Sequence, residues 1–168
     1  PQVMTRRAPD FLWAAEIVAD MGYTEVNLNL GCPSGTVTAK GKGAGFLAKP
    51  EELERFFDEV FAAVKLPVSV KTRLGVKEPE EFERLLDIYN RYPIACLTIH
   101  PRVQKQFYKG TVHRDWFAWA AERSRNPLCC GSSGAASPPP GRSSRPSPGR
   151  CISPTRTSMA RWARRPSG

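Results

Sequence analysis

Along residues 1–128 the apolar positions switch repeatedly between a period of two and a period near 3.6, the spacings of strands and helices. EVNLNL places Val26, Leu28 and Leu30 on one face of a strand and Asn27 and Asn29 on the other. PVSVKTRL sets Val68 and Val70 opposite Ser69, Lys71 and Arg73, and ACLTIHPR sets Leu97 and Ile99 opposite Cys96, Thr98 and His100. Residues 1–4 read as the end of a further strand, and Asn126, Pro127 and Leu128 as the start of another. Helical stripes separate these strands. Phe11, Ala14, Ala15, Val18 and Met21 predict a helix over 9–21, closed by Gly22 as a left-handed cap. Leu53, Phe56, Phe57, Val60 and Val64 predict one over 50–64, with Pro50 in its first turn and Glu51 and Glu52 at its positive end. Phe82, Leu85, Leu86 and Tyr89 predict a third over 79–91, and a short helix is expected at 115–122.

Strand and helix thus alternate at the size of a βαβ unit, which makes the fold class α/β with a parallel sheet. Central strands of a doubly wound sheet are covered on both faces and read apolar throughout. Here three successive strands keep one polar face, and each polar face ends in a reactive group, Asn29, Lys71 and His100. A (β/α)8 TIM barrel accounts for that, because helices cover only its outside and the active site lies inside the C-terminal ends of the strands. The expectation is a partial TIM barrel, about half of one, over residues 1–128.

Residues 129–168 break the pattern. They contain nine Ser, seven Pro, seven Arg and five Gly, and no Leu, Val, Phe or Tyr. Seven of the 25 basic residues and none of the 16 acidic ones lie there, so this segment holds most of the formal +9 charge. Such a stretch buries too little apolar surface to offset its ordering entropy and is expected to be a disordered tail. Its composition is that of GC-rich coding DNA read out of frame, and the break falls inside a nascent strand. A natural Arg/Ser/Pro tail that binds RNA, in a protein with no enzymatic activity, is the alternative. No apolar run reaches the length of a membrane span and no signal peptide is present, so a cytoplasmic protein without membrane attachment is expected. The five cysteines show no CxxC spacing, and neither a disulfide framework nor a metal site is expected.

The chemistry concentrates in residues 25–45, EVNLNLGCPSGTVTAKGKGAG. Cys32 sits in a Gly-Cys-Pro turn at a strand end, where it is either a small core residue or a catalytic thiol. Lys71 lies on an inward strand face, where a lysine needs a partner such as an anion or an electron-rich cofactor. His100 is open to a core or a site reading, and His113 to an exposed helix start. Gly41-Lys42 is followed by glycine, so the loop is no P-loop. Lys40 and Lys42 are either a solvated loop or phosphate contacts at an active-site mouth.

The run NLNLGCPSGTVTAKGKGAGFLAKPEEL, followed in order by VSVKTRLG and LTIHPR, resembles the signature of the tRNA-dihydrouridine synthases. The likeness covers residues 1–128. Flavin-dependent dihydroorotate dehydrogenases are the related runner-up, with a similar Asn-x-x-Cys-Pro stretch; GCPSGTV and KTRLG favour the synthases. The resemblance implies an FMN enzyme reduced by NADPH, monomeric at full length, that delivers hydride to C6 of a uracil in tRNA while a thiol protonates C5. Carried over, Cys32 is the proton donor and Asn29 holds the flipped uracil. Gln2, Lys71 and His100 contact FMN, and Arg73 and Arg102 are structural or face the tRNA. Three features of the family pattern are not matched: a Pro/Gly-rich strand end before residue 1, an Asn-Gly-Asp motif where CCGSSG stands, and a later Gly-Arg phosphate clamp with a helical tRNA-binding domain. The polypeptide as it stands is therefore expected to be inactive alone.

Overall fold

The computed structural model describes residues 1–131; the expected disordered tail lies outside the described residues except at its first three positions. Five strands form one sheet: β1 Gln2–Val3, β2 Val26–Leu30, β3 Val68–Arg73, β4 Leu97–His100 and β5 Leu128–Cys130. They lie in sequence order and every neighbouring pair is parallel. Consecutive order without reversal is the arrangement of part of a barrel; a doubly wound sheet would reverse at a switch point. The partial-barrel expectation is met. The helices are α1 Ala8–Asp20, α2 Gly35–Thr38, α3 Pro50–Ala63, α4 Glu81–Tyr89 and α5 Arg114–Arg123.

The boundaries depart from expectation in instructive ways. Gly22 does close α1 in the left-handed region, at φ +84°, but the helix ends at Asp20 and leaves Met21 exposed. The glycine-rich stretch is not an open loop. It contains α2 and a 3-10 turn at Gly43–Ala48 that buries Ala44, Phe46 and Leu47. The strand beginning at Leu128 continues through Cys129 and Cys130, because backbone pairing with β4 does not depend on side-chain composition.

One hydrophobic core lies between the outward strand face and the helices. Val26, Leu28, Leu30, Val68, Val70, Leu97 and Ile99 are buried there against Phe11, Leu53, Phe56, Phe57, Val60, Phe82, Leu85 and Leu86. Phe11 and Phe46 meet Phe56 edge-on, and Phe57 meets Tyr89 likewise, an arrangement that favours the ring quadrupoles. Tyr89 is fully buried with its hydroxyl 2.9 Å from Thr72 Oγ1. Thr72 spends its single proton on the Arg73 carbonyl at 3.0 Å, so Tyr89 is the donor in that pair. The opposite sheet face carries Gln2, Asn27, Asn29, Ser69, Lys71, Arg73, Thr98 and His100. Core and chemistry thus occupy opposite faces of the same strands.

Candidate active site

At the C-terminal ends of the strands a cleft of about 150 Å³ is lined by Asn29, Gly31, Cys32, Lys71, Arg73, His100, Tyr108 and Gly131. It brings together the thiol after β2, the last inward residues of β3, and the histidine that ends β4.

The Cys32 turn is held on every side. Asn29 Oδ1 accepts the N–H groups of Gly31 and Cys32, each at 3.0 Å. The Gly31 carbonyl accepts from Arg73 Nε at 2.8 Å, and the Cys32 carbonyl from the Ala44 N–H at 2.9 Å. Gly43, at φ +54°, lies against this turn so closely that a Cβ there would sit 2.8 Å from the Cys32 oxygen. The glycine-rich segment therefore serves to bring backbone onto the cysteine turn, a purpose its spacing does not announce.

Arg73 is 2% exposed and has no carboxylate partner among the described residues. Its guanidinium instead gathers three carbonyls, those of Gly31, Val103 (3.1 Å) and Phe107 (2.7 Å). The side chain ties the cysteine turn to the loop after β4 and also lines the cleft. Phe107 is held there at φ +49°, rare for a residue with a side chain. Its neighbour Tyr108 places its ring 5.5 Å from the Arg73 guanidinium and edge-on to His100.

His100 is buried, with Nδ1 3.1 Å from the Gly131 carbonyl and Nε2 3.2 Å from Arg102 Nη1. A carbonyl only accepts and a guanidinium only donates, so the ring is the neutral tautomer protonated on Nδ1. Burial, and after it the Arg73 charge, pushes its pKa below the ordinary histidine value. Arg102 is half-buried and also donates to the Gly110 carbonyl at 3.3 Å; it does not line the cleft. Neither do Lys40, which is exposed, and Lys42, which is half-buried. Gln2 stands one residue removed, accepting from Asn29 Nδ2 at 2.8 Å.

As a seat for a planar, electron-rich cofactor such as a flavin, the donor set fits. Lys71 is solvent-exposed at the cleft and its ammonium has no hydrogen bond or ion pair among the described residues. Asn29 keeps one amide N–H beyond its bond to Gln2, and Gln2 one beyond its bond to Asn27, whereas both ring nitrogens of His100 are occupied. Among the described residues no cluster of His, Cys, Asp or Glu could hold a metal ion, and no helix is long and apolar enough to cross a membrane.

Residues 2–128 match the family model for dihydrouridine synthase. The chain belongs to the dihydrouridine synthase family. It is similar to a protein of Rhodobacter capsulatus named "Probable tRNA-dihydrouridine synthase", 36% identical over 124 residues, which are 73% of this chain and 38% of that protein. Proteins of the same name from Staphylococcus epidermidis and Staphylococcus aureus are 41% and 40% identical over 96 and 99 residues, each 57% of this chain and 29% of the relative. The chain therefore spans well under half the length of these dihydrouridine synthase relatives. Sequence reasoning missed Tyr108 and Gly131 as cleft residues of this family member, since neither belongs to a periodic element. It also missed the meeting of Cys96 and Cys129, whose sulfurs lie 3.1 Å apart across β4 and β5.

Proposed function

We propose that residues 1–128 carry part of the active site of a tRNA-dihydrouridine synthase, reducing uridine to 5,6-dihydrouridine in tRNA. The observation that carries this reading is the Cys32 turn, braced by Asn29, Arg73 and Ala44 and opening on the same cleft as Lys71. When bound, FMN reduced by NADPH supplies the hydride for C6 of the uracil. The chain's own residues do the rest. Cys32 Sγ–H gives its proton to C5, and a turn this firmly held keeps the thiol where a base flipped out of the tRNA can meet it. Asn29 has spent its oxygen on the turn, so it meets the base through its remaining amide N–H alone. Lys71 would offer its ammonium to negative charge on a bound flavin and Gln2 its remaining amide N–H, while His100, with both ring nitrogens bonded, serves by holding Arg102 and the strand ends. Lys40, exposed, and Lys42, half-buried, lie outside the cleft lining and would contact phosphates of the tRNA. A tRNA substrate and an NADPH reductant support a cytoplasmic enzyme, which at full length is taken to act as a monomer.

The test is a chimera in which residues 2–128 replace the matching segment of the Rhodobacter capsulatus relative, with dihydrouridine in tRNA read by mass spectrometry. The flavin absorbance of the purified chimera reports its folding. Cys32→Ala is expected to leave flavin binding and its reduction by NADPH intact while slowing uridine reduction about 100-fold, the usual scale for a positioned acid. Lys71→Ala is expected to weaken flavin binding or slow flavin reduction instead. Uridine reduction by the Cys32→Ala chimera at close to the parent rate in a single turnover would refute the assignment.

A further inference from the structure

Glu25, Asn27 and Asn29 share the inward side of β2 and the residue before it, but alternate residues of a strand stand about 6.6 Å apart, too far to bond one another directly. Side chains from the neighbouring strands fill both gaps. Gln2 of β1 and Ser69 of β3 are the lateral partners of Asn27, and each bridges it to the next residue along. Starting at the cleft, the Gly31 and Cys32 N–H groups donate to Asn29 Oδ1. Asn29 Nδ2 donates to Gln2 Oε1 at 2.8 Å, and Gln2 Nε2 to Asn27 Oδ1 at 2.6 Å. Asn27 Nδ2 donates to Ser69 Oγ at 2.8 Å, and Ser69 Oγ donates to Glu25 Oε1 at 2.5 Å.

All of these links run in the same direction. The two ends enforce that direction, since a backbone N–H can only donate and a carboxylate can only accept. Turning over Asn29 or Gln2 would set donor against donor on one side and acceptor against acceptor on the other; turning over Asn27 would set donor against donor toward Gln2 and draw the Ser69 proton away from Glu25. Chains of aligned hydrogen bonds also polarise one another, so each link strengthens its neighbours. Without the acceptor at the far end, the Ser69 proton has no fixed destination and Asn27 is pinned from one side only.

We propose that Glu25 is a positioning residue for the Cys32 turn, acting through Ser69, Asn27, Gln2 and Asn29. Glu25 does not line the Cys32 cleft. It is exposed at the opposite end of β2, beside a separate hollow of about 450 Å³. The ladder has a second consequence for specificity. The ladder takes up the side-chain oxygens of Asn29 and Gln2 and one amide N–H of each, which leaves one N–H on each for a ligand edge presenting carbonyl oxygens. The importance of the ladder to catalysis rests on the reading of Cys32 as the proton donor, but its existence does not.

The test uses the full chain labelled with nitrogen-15, following the side-chain amide resonances of Gln2, Asn27 and Asn29. In parallel, the rate at which iodoacetamide alkylates Cys32 is read from the Cys32 peptide between pH 6 and 9. Ser69→Ala and Glu25→Lys are expected to shift the Asn29 amide resonances, to change the Cys32 rate about threefold or more and to displace its pH profile, the scale of coupling within one network. Ser69→Thr keeps the hydroxyl and is expected to restore all three readouts. Glu25 is exposed, so Glu25→Lys decides the matter even if Ser69→Ala fails to fold. Unchanged Asn29 resonances in the folded variants would overturn the inference, as would shifted resonances with an unaltered Cys32 rate and pH profile. None of these measurements needs turnover, so the ladder and the proton-donor role fail separately.

Discussion

Replacing Arg73 by methionine removes the guanidinium that joins three segments while keeping a side chain of similar length in its place. Three carbonyls lose a donor: Gly31 at 2.8 Å, Val103 at 3.1 Å and Phe107 at 2.7 Å. A hydrogen bond to a charged group contributes about 1.5–3 kcal/mol net. The bond to Phe107 is half-buried and the other two are buried, so the loss is carried mainly by those two, about 3–6 kcal/mol. Against this stands the cost of burying a cation that has no anionic partner, several kcal/mol, part of which the substitution relieves. The balance expected is a destabilisation of about 2–3 kcal/mol. Urea denaturation followed by circular dichroism measures it, and a lowered midpoint at unchanged slope identifies it as lost stability. Arg73→Lys is expected to recover less than half, because an ammonium cannot reach three carbonyls in the fixed geometry of a planar fork. Cys32 alkylation should accelerate in Arg73→Met, since the bond to Gly31 holds the residue next to the thiol. A stability within about 0.5 kcal/mol of wild type, the range of an ordinary surface substitution, would show that the three bonds do not outweigh the cost of burying the charge and refute the reasoning.

Gly43→Ala places a Cβ 2.8 Å from the Cys32 oxygen and 3.0 Å from its Cβ, at φ +54°. The left-handed backbone and the overlap together are expected to cost about 2–4 kcal/mol in the same urea experiment; an unchanged midpoint would mean that the turn yields freely. His100 makes stability depend on pH with a definite sign. Its folded pKa lies below the ordinary value of 6.5, so the unfolded chain takes up a proton first as the pH falls. Stability is then fully present above about 6.5 and is lost as the pH drops toward the folded value. Melting temperatures between pH 7.5 and 5 should show that loss. His100→Asn, which keeps a donor for the Gly131 carbonyl, should lack it, and an equal slope in both proteins would assign the effect elsewhere.

Strand faces, helix stripes and caps were legible from the residues alone because each depends on neighbours within a few positions. Val26, Leu28 and Leu30 had to share a side whatever the fold, and Gly22 had to close α1. The polar inward faces of β2, β3 and β4 already pointed to a barrel wall and to Cys32, Lys71 and His100 at its rim. What each polar group is bonded to was not legible, because that depends on the register between strands distant in sequence. The resemblance gives Asn29 to the uracil, yet its oxygen belongs to the Cys32 turn; it leaves Arg73 structural or tRNA-facing, and the guanidinium is buried among carbonyls. Gly43 is needed for the approach of one loop to another, and Glu25 and Ser69, 44 positions apart, meet only when β3 lies beside β2. The amino-acid order determined which elements form and which side of each is apolar. Only the assembled sheet decided which donors and acceptors satisfy one another and which, like the ammonium of Lys71, remain available to a ligand.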